Sequence, residues 1–572
     1  MSTSVSPSSL LTETGKARPI AGVLAATVLA AAGVLLDARG VAELMTGADS
    51  PLADTVTAGM WIVKAMLVVH AGVILAGSRV QPHGSGARLL AGDLADDSPL
   101  RGAGWLIAGV IVLGAALRLY ALGEGLWYDE ITALVKYVRA PVPQILTTFD
   151  SQNQHMSYSL LANVAVSIFG DGVWALRLPA ALFGIGSLWA TYWLGTLVAS
   201  RREGLLAASL LTASYHHVWF SQNARGYTGL LFFTLLSTAL LVRLLRSDRA
   251  HGWRLVLSYA IVAALGAYTH TSAVFVTVGH FIVWTVLAMR ANRRGERLGW
   301  PAWMPMVGFA LAGTISIQLY GPVLPQLLFT ATAPTMGGVQ TDWKDPVWFI
   351  REALRIMAQG IPGGLVTVGA AVAIGLTGTA SYLRRTPAVL ALMLVPAAIT
   401  GAAMLLTEHN LWPRLFFFCA GFAALLAVRG VMTLASVALG SRGPVVATAL
   451  LVLGAVGSLT TVPRAWGPKQ DFEGARQFVE RQRAADDAVV MLDLTRFPYE
   501  QYLRTGWSFA ADEAALAAIE ARHPKMWIVY TFPARLSATQ PALWAHIQRT
   551  YNRAARFGGT VGGGAVIVMV RE

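Results

Sequence analysis

The chain has 572 residues, of which 55% are hydrophobic and only 13% are charged, and its mean hydropathy is +0.54. Soluble domains carry about a quarter charged residues, so this composition excludes a soluble globular protein and predicts one that crosses a membrane many times. The net charge of +13 does not indicate nucleic-acid binding, because the arginines stand between apolar segments, as they do in cytoplasmic loops. The single cysteine, Cys419, excludes a disulfide within the chain and indicates neither redox chemistry nor a cysteine metal site.

Apolar runs of about 17–22 residues, long enough to span a bilayer, recur along most of the chain. The first run follows a Ser/Thr-rich segment with few charges, so we expect a retained helix and no cleavable signal peptide. The runs predict thirteen membrane helices, over residues 20–36, 57–77, 103–122, 178–199, 203–220, 226–245, 254–270, 271–290, 301–322, 362–381, 386–406, 415–436 and 444–462.

The arginines predict the orientation of these helices. Clusters such as Arg201-Arg202 and Arg384-Arg385 mark every second connection, which places the N-terminus in the cytoplasm and the C-terminus outside. The apolar segment 155–170 is short for a span, and counting it would move the later clusters to the outside. We therefore interpret residues 123–177 as one external loop with short helices on the membrane surface.

Two further external segments follow from this scheme. Residues 321–345 are rich in Pro, Thr and Gly and predict a second external loop, and residues 347–359 have the spacing of an interfacial helix. After Pro463 the density of charged residues rises to that of a soluble domain. A helix at 471–485 and strands at 489–492, 526–530 and 565–570 predict a small external α/β domain, and the glycine-rich stretch 558–564 predicts a hairpin turn.

The sequence thus predicts three parts. Residues 1–100 hold two accessory helices and a cytoplasmic linker, residues 101–462 the membrane core with its external loop, and residues 463–572 the α/β domain. The fold class is an all-α polytopic membrane protein with this small domain at its C-terminus.

One short stretch carries the chemistry. Residues 125–130 (GLWYDE) follow the apolar run 103–122, and place Asp129 and Glu130 beside a Trp and a Tyr at the mouth of a membrane helix. Ionisable groups at that depth are costly unless they face a cavity or a partner, so the pair is a candidate functional site. The alternative is an acidic cap on an interfacial aromatic belt.

The motifs that follow WYDE along the chain occur in an order that is typical of one family. WYDE is followed by SQNQHMSYSLLA, by WFSQNARGYTGL at 219–230, by AYTH at 267–270, by WPRLFFF at 412–418 and by QDFEGARQFVE. Over about residues 100–500 this resembles the dolichyl-phosphate-mannose-protein mannosyltransferase superfamily of the GT-C fold, in the bacterial branch that includes the lipid A aminoarabinose transferase. The resemblance implies an enzyme of the bacterial plasma membrane that transfers a sugar from a polyprenyl phosphate on the extracytoplasmic face.

The resemblance also implies roles for individual residues. Asp129 is expected to be the catalytic carboxylate, with Glu130 as its partner. Candidates for binding the donor phosphate are Arg225, Arg414, Lys136 and Arg177. Candidates for binding substrate are His155, Tyr128, Tyr158, Tyr227 and His270. His155 departs from the family pattern, because Met156-Ser157-Tyr158 follows it where relatives have Pro-Pro-Leu-Tyr.

Elementary chemistry agrees with this reading. A sugar on a polyprenyl phosphate already has a leaving group, so the enzyme needs a carboxylate to deprotonate an acceptor hydroxyl and arginines to neutralise the departing phosphate. A single displacement would invert the anomeric centre. No cofactor is required, and a divalent metal is left open, since no ligand spacing demands one. The expected partners are the lipid-linked donor, a lipid or cell-envelope glycan acceptor and membrane lipids, without nucleic acid.

Alternatives come from other classes. An acceptor hydroxyl on a protein would make the chain a protein O-mannosyltransferase-like enzyme. A proton-coupled transporter or lipid flippase would have internal repeats or matched broken helices, and the sequence has no such symmetry. A non-catalytic scaffold would tolerate substitution of Asp129.

Overall fold

The computed structural model describes residues 8–79, 88–90, 100–247, 252–332 and 341–572. The described chain divides into two compact units. One takes its residues from 1–93, 141–152 and 236–333, and the other from 94–140, 153–235 and 334–572. The expected boundaries near residues 100 and 463 stay a prediction.

Helices and the turns between them make up the described residues of the first unit. Its helices are Ser8–Leu35, Ala38–Thr46, Ala53–Arg79, Val142–Thr147, Trp253–Thr269, Ala273–Arg293, Trp300–Tyr320, Gly321–Val323 and Leu324–Thr332. The helix Tyr227–Arg246 belongs to the second unit up to Leu235 and to the first from Leu236. Lys64, which falls within the second predicted span, donates to the carbonyl oxygens of Leu36 at 2.5 Å and Val34 at 3.3 Å, which accommodates its charge at the end of the first helix.

The second unit contains the other helices and the sheet. Its helices before residue 300 are Ala103–Leu119, Tyr128–Ala133, Leu134–Val138, Met156–Phe169, Val173–Val198, Arg201–Thr212 and Tyr215–Ser221. Those from 341 to 466 are Thr341–Lys344, Pro346–Gly360, Gly364–Arg385, Pro387–Leu406, Pro413–Cys419, Ala420–Leu439, Gly440–Arg442, Gly443–Leu459 and Val462–Trp466. The C-terminal part adds Phe472–Gln482, Asp493–Thr495, Pro498–Tyr502, Glu513–Glu520, Pro533–Thr539 and Pro541–Thr550.

The polytopic membrane fold is confirmed, and the count of thirteen spans is not. Among the described residues, eight helical segments are long and apolar enough to cross a membrane, or nine if the pair Gly22–Leu35 and Ala38–Thr46, bent by 75°, counts as one span. Shorter apolar helices occur at Ala103–Leu119, Met156–Phe169 and Trp253–Thr269. Every predicted run coincides with helical structure, and the orientation of the termini stays a prediction.

One predicted span is broken. The run 203–220 forms two helices, Arg201–Thr212 and Tyr215–Ser221, and Ser214 caps the second by accepting from the His217 backbone N–H at 3.4 Å. The buried Arg118 lies at the break. Its guanidinium donates to the carbonyl oxygens of Leu211 at 3.0 Å and Thr212 at 3.4 Å, and it contacts His217 Nδ1 at 2.8 Å. A cation at the end of the first helix satisfies carbonyls that a continuous helix would have used itself.

The helix expected at 347–359 is present as Pro346–Gly360, and its position at the membrane interface stays a prediction. Of the second external loop, residues 333–340 lie outside the described residues. The segment 155–170, interpreted as part of the first external loop, forms the helix Met156–Phe169.

The C-terminal residues contain a five-stranded mixed sheet. Its strands are β1 (Ala488–Leu492), β2 (Ser508–Ala510), β3 (Met526–Tyr530), β4 (Asn552–Phe557) and β5 (Val566–Arg571), in the order β2-β1-β3-β5-β4. β1 is parallel to β2 and β3, and β5 is antiparallel to β3 and β4. The α/β domain is thereby confirmed. The glycine-rich stretch 558–564 connects the antiparallel strands β4 and β5, as expected of a hairpin turn.

Both faces of the sheet are covered by other parts of the chain. One face packs on the helices Glu513–Glu520, Pro533–Thr539 and Pro541–Thr550 through residues such as Leu516, Leu536 and Ile547. The other face, with the helix Phe472–Gln482, shares a core with Leu126, Ile131, Leu134 and Tyr158 of the first external loop. The residues around Asp129 are therefore packed on the C-terminal domain.

Candidate active site

Glu130 and Arg177 form a fully buried ion pair beneath the helix Tyr128–Ala133. Arg177 donates from Nε to Glu130 Oε1 at 2.8 Å and from Nη2 to Oε2 at 2.6 Å. The backbone N–H of Ala224 also donates to Glu130 Oε1, at 2.7 Å. The Glu130 carboxylate thus connects the WYDE segment to the helix Val173–Val198 and to the SQNAR loop (residues 221–225).

The remaining donors of Arg177 are also occupied. Nη1 donates to the carbonyl oxygens of Leu122 at 3.1 Å and Glu124 at 2.7 Å, and Nη2 donates to that of Gly125 at 3.0 Å. All five N–H groups of the guanidinium therefore have protein acceptors. A buried guanidinium whose donors are all occupied has none left for a substrate phosphate, so these contacts give no support to the expected role of Arg177, which stays a prediction.

The surroundings of Glu130 likewise give no support to its expected catalytic role. Burial raises the pKa of its carboxyl, but the charges of Arg177 and Lys469 and the hydrogen bonds outweigh burial and hold that pKa below its ordinary value. A buried carboxylate that stays ionised and is saturated by donors holds structure together instead of accepting a substrate proton. We assign Glu130 to positioning the loop that carries Asp129.

Asp129, one residue earlier on the same helix, faces a cavity. Its side chain is 19% exposed, and Oδ2 lies 3.2 Å from Arg414 Nη1 and 3.7 Å from Arg225 Nη1. Its carbonyl oxygen accepts from Asn153 Nδ2 at 3.2 Å. The structure thus brings together the predicted carboxylate and two of the predicted arginines from three distant parts of the sequence.

Arg225 has unsatisfied donors. Its side chain is 4% exposed, and among the described residues its Nε and Nη1 atoms have no hydrogen-bond acceptor. The guanidinium lies 5.8 Å from the centre of the Tyr227 ring. A buried donor without a partner is costly, and this cost is typical of a site that is completed by a ligand.

His155 contacts the backbone next to Arg225. It is buried, and its Nδ1 accepts from the backbone N–H of Gly226 at 3.2 Å. Tyr158 is also buried and donates to the carbonyl oxygen of Leu176 at 2.5 Å, which gives no support to its expected contact with substrate. Tyr128 and Tyr227 line the cavity, as expected of substrate-binding residues.

Two candidates are not among the residues that line the cavity of Asp129. Lys136 is exposed on the turn Leu134–Val138 and is not among the cavity-lining residues. His270 belongs to the other compact unit, where its Nδ1 accepts from the Ser272 backbone N–H at 3.2 Å. Their predicted substrate roles receive no support from these surroundings.

The cavity has a volume of about 2060 Å³. Around Asp129 its wall is aromatic and charged, and contains Trp127, Tyr128, Trp348, Trp412, Arg355 and Arg414. Farther along, its wall is aliphatic and comes from the helices Gly364–Arg385, Ala420–Leu439 and Gly443–Leu459. Loops of the C-terminal domain, including residues 532–535 and 560–563, complete the wall.

Two residues that the sequence reasoning missed connect this site to the C-terminal domain. Lys469 is buried and donates to the carbonyl oxygen of Gln222, in the SQNAR loop, at 2.7 Å. Gln470 accepts from the Tyr128 backbone N–H at 3.1 Å and donates to the Gly564 carbonyl oxygen at 3.0 Å. The only signal was that the QDFEG motif begins at Gln470, and a motif does not reveal which distant backbone groups it contacts.

The carboxylates and histidines near Asp129 bear on whether the site could hold a metal. Among the described residues no group of three or more His, Cys, Asp or Glu side chains is placed to hold an ion. Glu130 is committed to Arg177, and His155 Nδ1 to the Gly226 N–H. Metal dependence stays open, as it did from the sequence.

The family model described as dolichyl-phosphate-mannose-protein mannosyltransferase matches residues 156–329. No curated protein matches the chain. Solved structures that are similar include ArnT from Cupriavidus metallidurans bound to undecaprenyl phosphate, at 13% identity and a TM-score of 0.43, over 82% of this chain and 98% of that one.

Two other solved structures are similar at low identity. The Archaeoglobus fulgidus oligosaccharyltransferase complex with Zn and sulfate has 10% identity and a TM-score of 0.46, over 80% of this chain and 72% of that one. The arabinosyltransferase EmbB from Mycobacterium smegmatis has 13% identity and a TM-score of 0.38, over 81% of this chain and 46% of that one. The family match supports, over residues 156–329, the resemblance found in the motifs.

Proposed function

We propose that the enzyme transfers a sugar from a polyprenyl-phosphate donor to a hydroxyl of a lipid or cell-envelope glycan acceptor, on the extracytoplasmic face of the membrane. The observation that carries the proposal is the contact of one carboxylate, Asp129, with two guanidinium groups, Arg225 and Arg414, at the wall of a large cavity. Proton abstraction from a hydroxyl and stabilisation of a departing phosphate need these two kinds of group side by side.

The donor phosphate would bind Arg225 and Arg414. The unsatisfied Nε and Nη1 atoms of Arg225 are suited to phosphate oxygens, which accept charge-assisted hydrogen bonds from arginine. A bound phosphate would compete with Asp129 for the two guanidinium groups. Asp129 would then be released to accept a proton only when the donor is in place.

The lipid part of the donor would lie against the aliphatic wall. Residues such as Val372, Leu376, Leu434 and Leu450 line this part of the cavity. A polyprenyl chain is apolar along its whole length, so burying it there is favourable, at about 25 cal/mol for each Å² of apolar surface. A nucleotide, which is charged and polar, has no comparable complement in that wall.

In the reaction, Asp129 takes the proton of the acceptor hydroxyl as its oxygen attacks the anomeric carbon. The bond from that carbon to the phosphate oxygen breaks, and the polyprenyl phosphate leaves with the electron pair and the negative charge that Arg225 and Arg414 stabilise. A single displacement of this kind inverts the anomeric centre. Glu130 and Arg177 hold the helix that carries Asp129, so that its position is fixed before the substrate binds.

The test compares Arg225→Ala with Arg139→Ala, which removes an exposed arginine paired with Asp171 on the first external loop. Polyprenyl phosphate, the leaving product, should inhibit the wild type and Arg139→Ala equally. It should inhibit Arg225→Ala less, with a loss of about 1.5–3 kcal/mol of binding for a charge-assisted contact. Equal inhibition of all three proteins would remove Arg225 from the phosphate site.

A further inference from the structure

Two parallel strands of the C-terminal sheet end at the cavity that contains Asp129. β1 and β3 are adjacent and parallel, and their carboxyl ends are Leu492 and Tyr530. The chain just beyond these ends, at Leu494 and at residues 532–535, lines the cavity. In α/β sheets, ligands bind outside the carboxyl ends of parallel strands. This edge is therefore the part of the domain where a ligand is expected.

The edge carries an ion pair. Arg535 donates from Nε to Asp493 Oδ2 at 3.0 Å and from Nη2 to Oδ1 at 3.5 Å. The two side chains are 26% and 13% exposed, so both are shielded but accessible. Within the described part of the chain, the Nη1 group of Arg535 donates to no protein atom. A fixed guanidinium with free donors thus lies beside a fixed carboxylate.

The backbone at both strand ends is strained. Asp493 has a φ of 47° and Phe532 a φ of 48°, in the left-handed region that residues with side chains rarely adopt. Phe532 also precedes Pro533, a position where the extended conformation is preferred. Strain of this kind is found mostly at functional sites, where it fixes the direction of a side chain.

The ion pair and the catalytic carboxylate flank the same residue. The charges of Asp129, Arg535 and Asp493 all act on the Tyr128 hydroxyl. Gln470 joins the two sites directly, because it accepts from the Tyr128 backbone N–H at 3.1 Å and donates to Thr531 Oγ1, next to Phe532, at 3.2 Å. A ligand bound by Arg535 would therefore lie within the same cavity as Asp129.

The chemistry of the pair selects a class of ligand. Arg535 and Asp493 carry no net charge together, so an anion gains little at this position, whereas neighbouring hydroxyl groups match a donor and an acceptor held side by side. The aromatic rings of Phe532 and Tyr128 line the same cavity and suit the C–H face of a sugar ring. We propose that Arg535 and Asp493 bind a carbohydrate portion of the acceptor and present its reacting hydroxyl to Asp129, a proposal that rests on the proposed function.

The experiment uses the full chain in detergent and a panel of methyl glycosides of hexoses and pentoses, with inorganic phosphate in a parallel arm. Saturation-transfer NMR measures binding to the wild type, to Arg535→Gln and to Arg483→Gln. Arg483 is a matched control, because it pairs with Glu480 on the same domain and does not line the cavity. We expect at least one glycoside to bind the wild type and Arg483→Gln alike, and Arg535→Gln about tenfold more weakly.

Three results would overturn the proposal. They are binding of no glycoside to the wild type, equal binding to the wild type and to Arg535→Gln, and phosphate binding that depends on Arg535. Thermal unfolding of each variant shows whether the fold is intact, and Asp493→Asn provides a second variant if Arg535→Gln does not fold. Donor use by the wild type is measured separately, so that failure of the proposed function is distinguished from failure of this site.

Discussion

Two adjacent carboxylates have different surroundings. Asp129 faces the cavity and contacts Arg225 and Arg414, whereas Glu130 is buried against Arg177 and the Ala224 N–H. Successive residues on a helix point about 100° apart, so one residue step is enough to turn one carboxylate to the cavity and the next into the protein. The WYDE motif predicts that both carboxylates belong to a functional site, and it does not predict that one faces the cavity while the other is buried.

Asp129→Asn should leave the protein folded and lower the transfer rate by about 10²–10⁴, because a positioned general base is lost. The control is Asp171→Asn, which removes an exposed carboxylate of the same external loop and should retain activity. Turnover and thermal unfolding are measured for both variants. Near-normal turnover by Asp129→Asn would place the base elsewhere.

Glu130→Gln should lower the stability of the folded protein. It leaves Arg177 buried without a counter-charge, and breaking a buried ion pair costs about 3–5 kcal/mol. Glu500→Gln breaks an exposed pair with Arg496 and should cost about 0–1 kcal/mol. Thermal unfolding in detergent compares the two, and equal midpoints would contradict the structural role assigned to Glu130.

At the residue scale, the sequence predicted the carboxylate and two arginines that the structure brings together. It did not separate Arg225 and Arg414 from Arg177, because all three occur in recognisable motifs and only their hydrogen bonds differ. Arg177 meets five backbone and carboxylate acceptors, and Arg225 has donors without acceptors among the described residues. Such partners depend on tertiary packing and have no local signature.

At the scale of elements, the segment around Lys469 connects the last membrane helix to the C-terminal domain. Burial first, and then the charge of Arg177, lower the pKa of Lys469 to about 7, against the opposing effects of Glu130 and Glu124. The unfolded chain, with its ordinary pKa of 10.5, keeps the proton at pH values where the folded protein has lost it.

Stability should therefore rise with pH between about 7 and 10.5 through this residue, since the unfolded state binds more protons there. Below about pH 7 both states are protonated, and the contribution no longer changes. Lys469→Met should remove this part of the pH dependence. Midpoints of thermal unfolding across this range compare the variant with the wild type, and parallel curves for the two proteins would contradict the assignment.

Some helices and strands were predicted from the sequence, and others were missed. Long apolar runs fix the positions of membrane helices, so each predicted run coincides with helical structure. The break between Thr212 and Tyr215 was missed, because it depends on Arg118, a residue about ninety positions earlier in the chain. β2 has three residues, too few for a pattern, and β4 reads NRAARF, which does not alternate as a strand should. β1, β3 and β5 were predicted because they are buried and apolar.

At the scale of the whole molecule, the C-terminal domain contributes to the candidate active site. It holds the Tyr128 backbone through Gln470, and its loops complete the wall of the cavity. The sequence predicted this domain as a separate external unit, since its composition changes at Pro463. The high density of charged residues predicts that the domain is exposed to solvent. It does not predict that one face of the sheet shares a core with the first external loop.

The central claim is that the donor is a sugar linked to polyprenyl phosphate. The most direct measurement incubates the purified full-length enzyme, in parallel, with a polyprenyl-phosphate sugar and with the nucleotide form of the same sugar. Mass spectrometry then follows release of polyprenyl phosphate or nucleotide. We predict turnover of the lipid-linked sugar alone, abolished in Asp129→Asn and weakened in Arg225→Ala. Turnover of the nucleotide sugar alone would contradict the account.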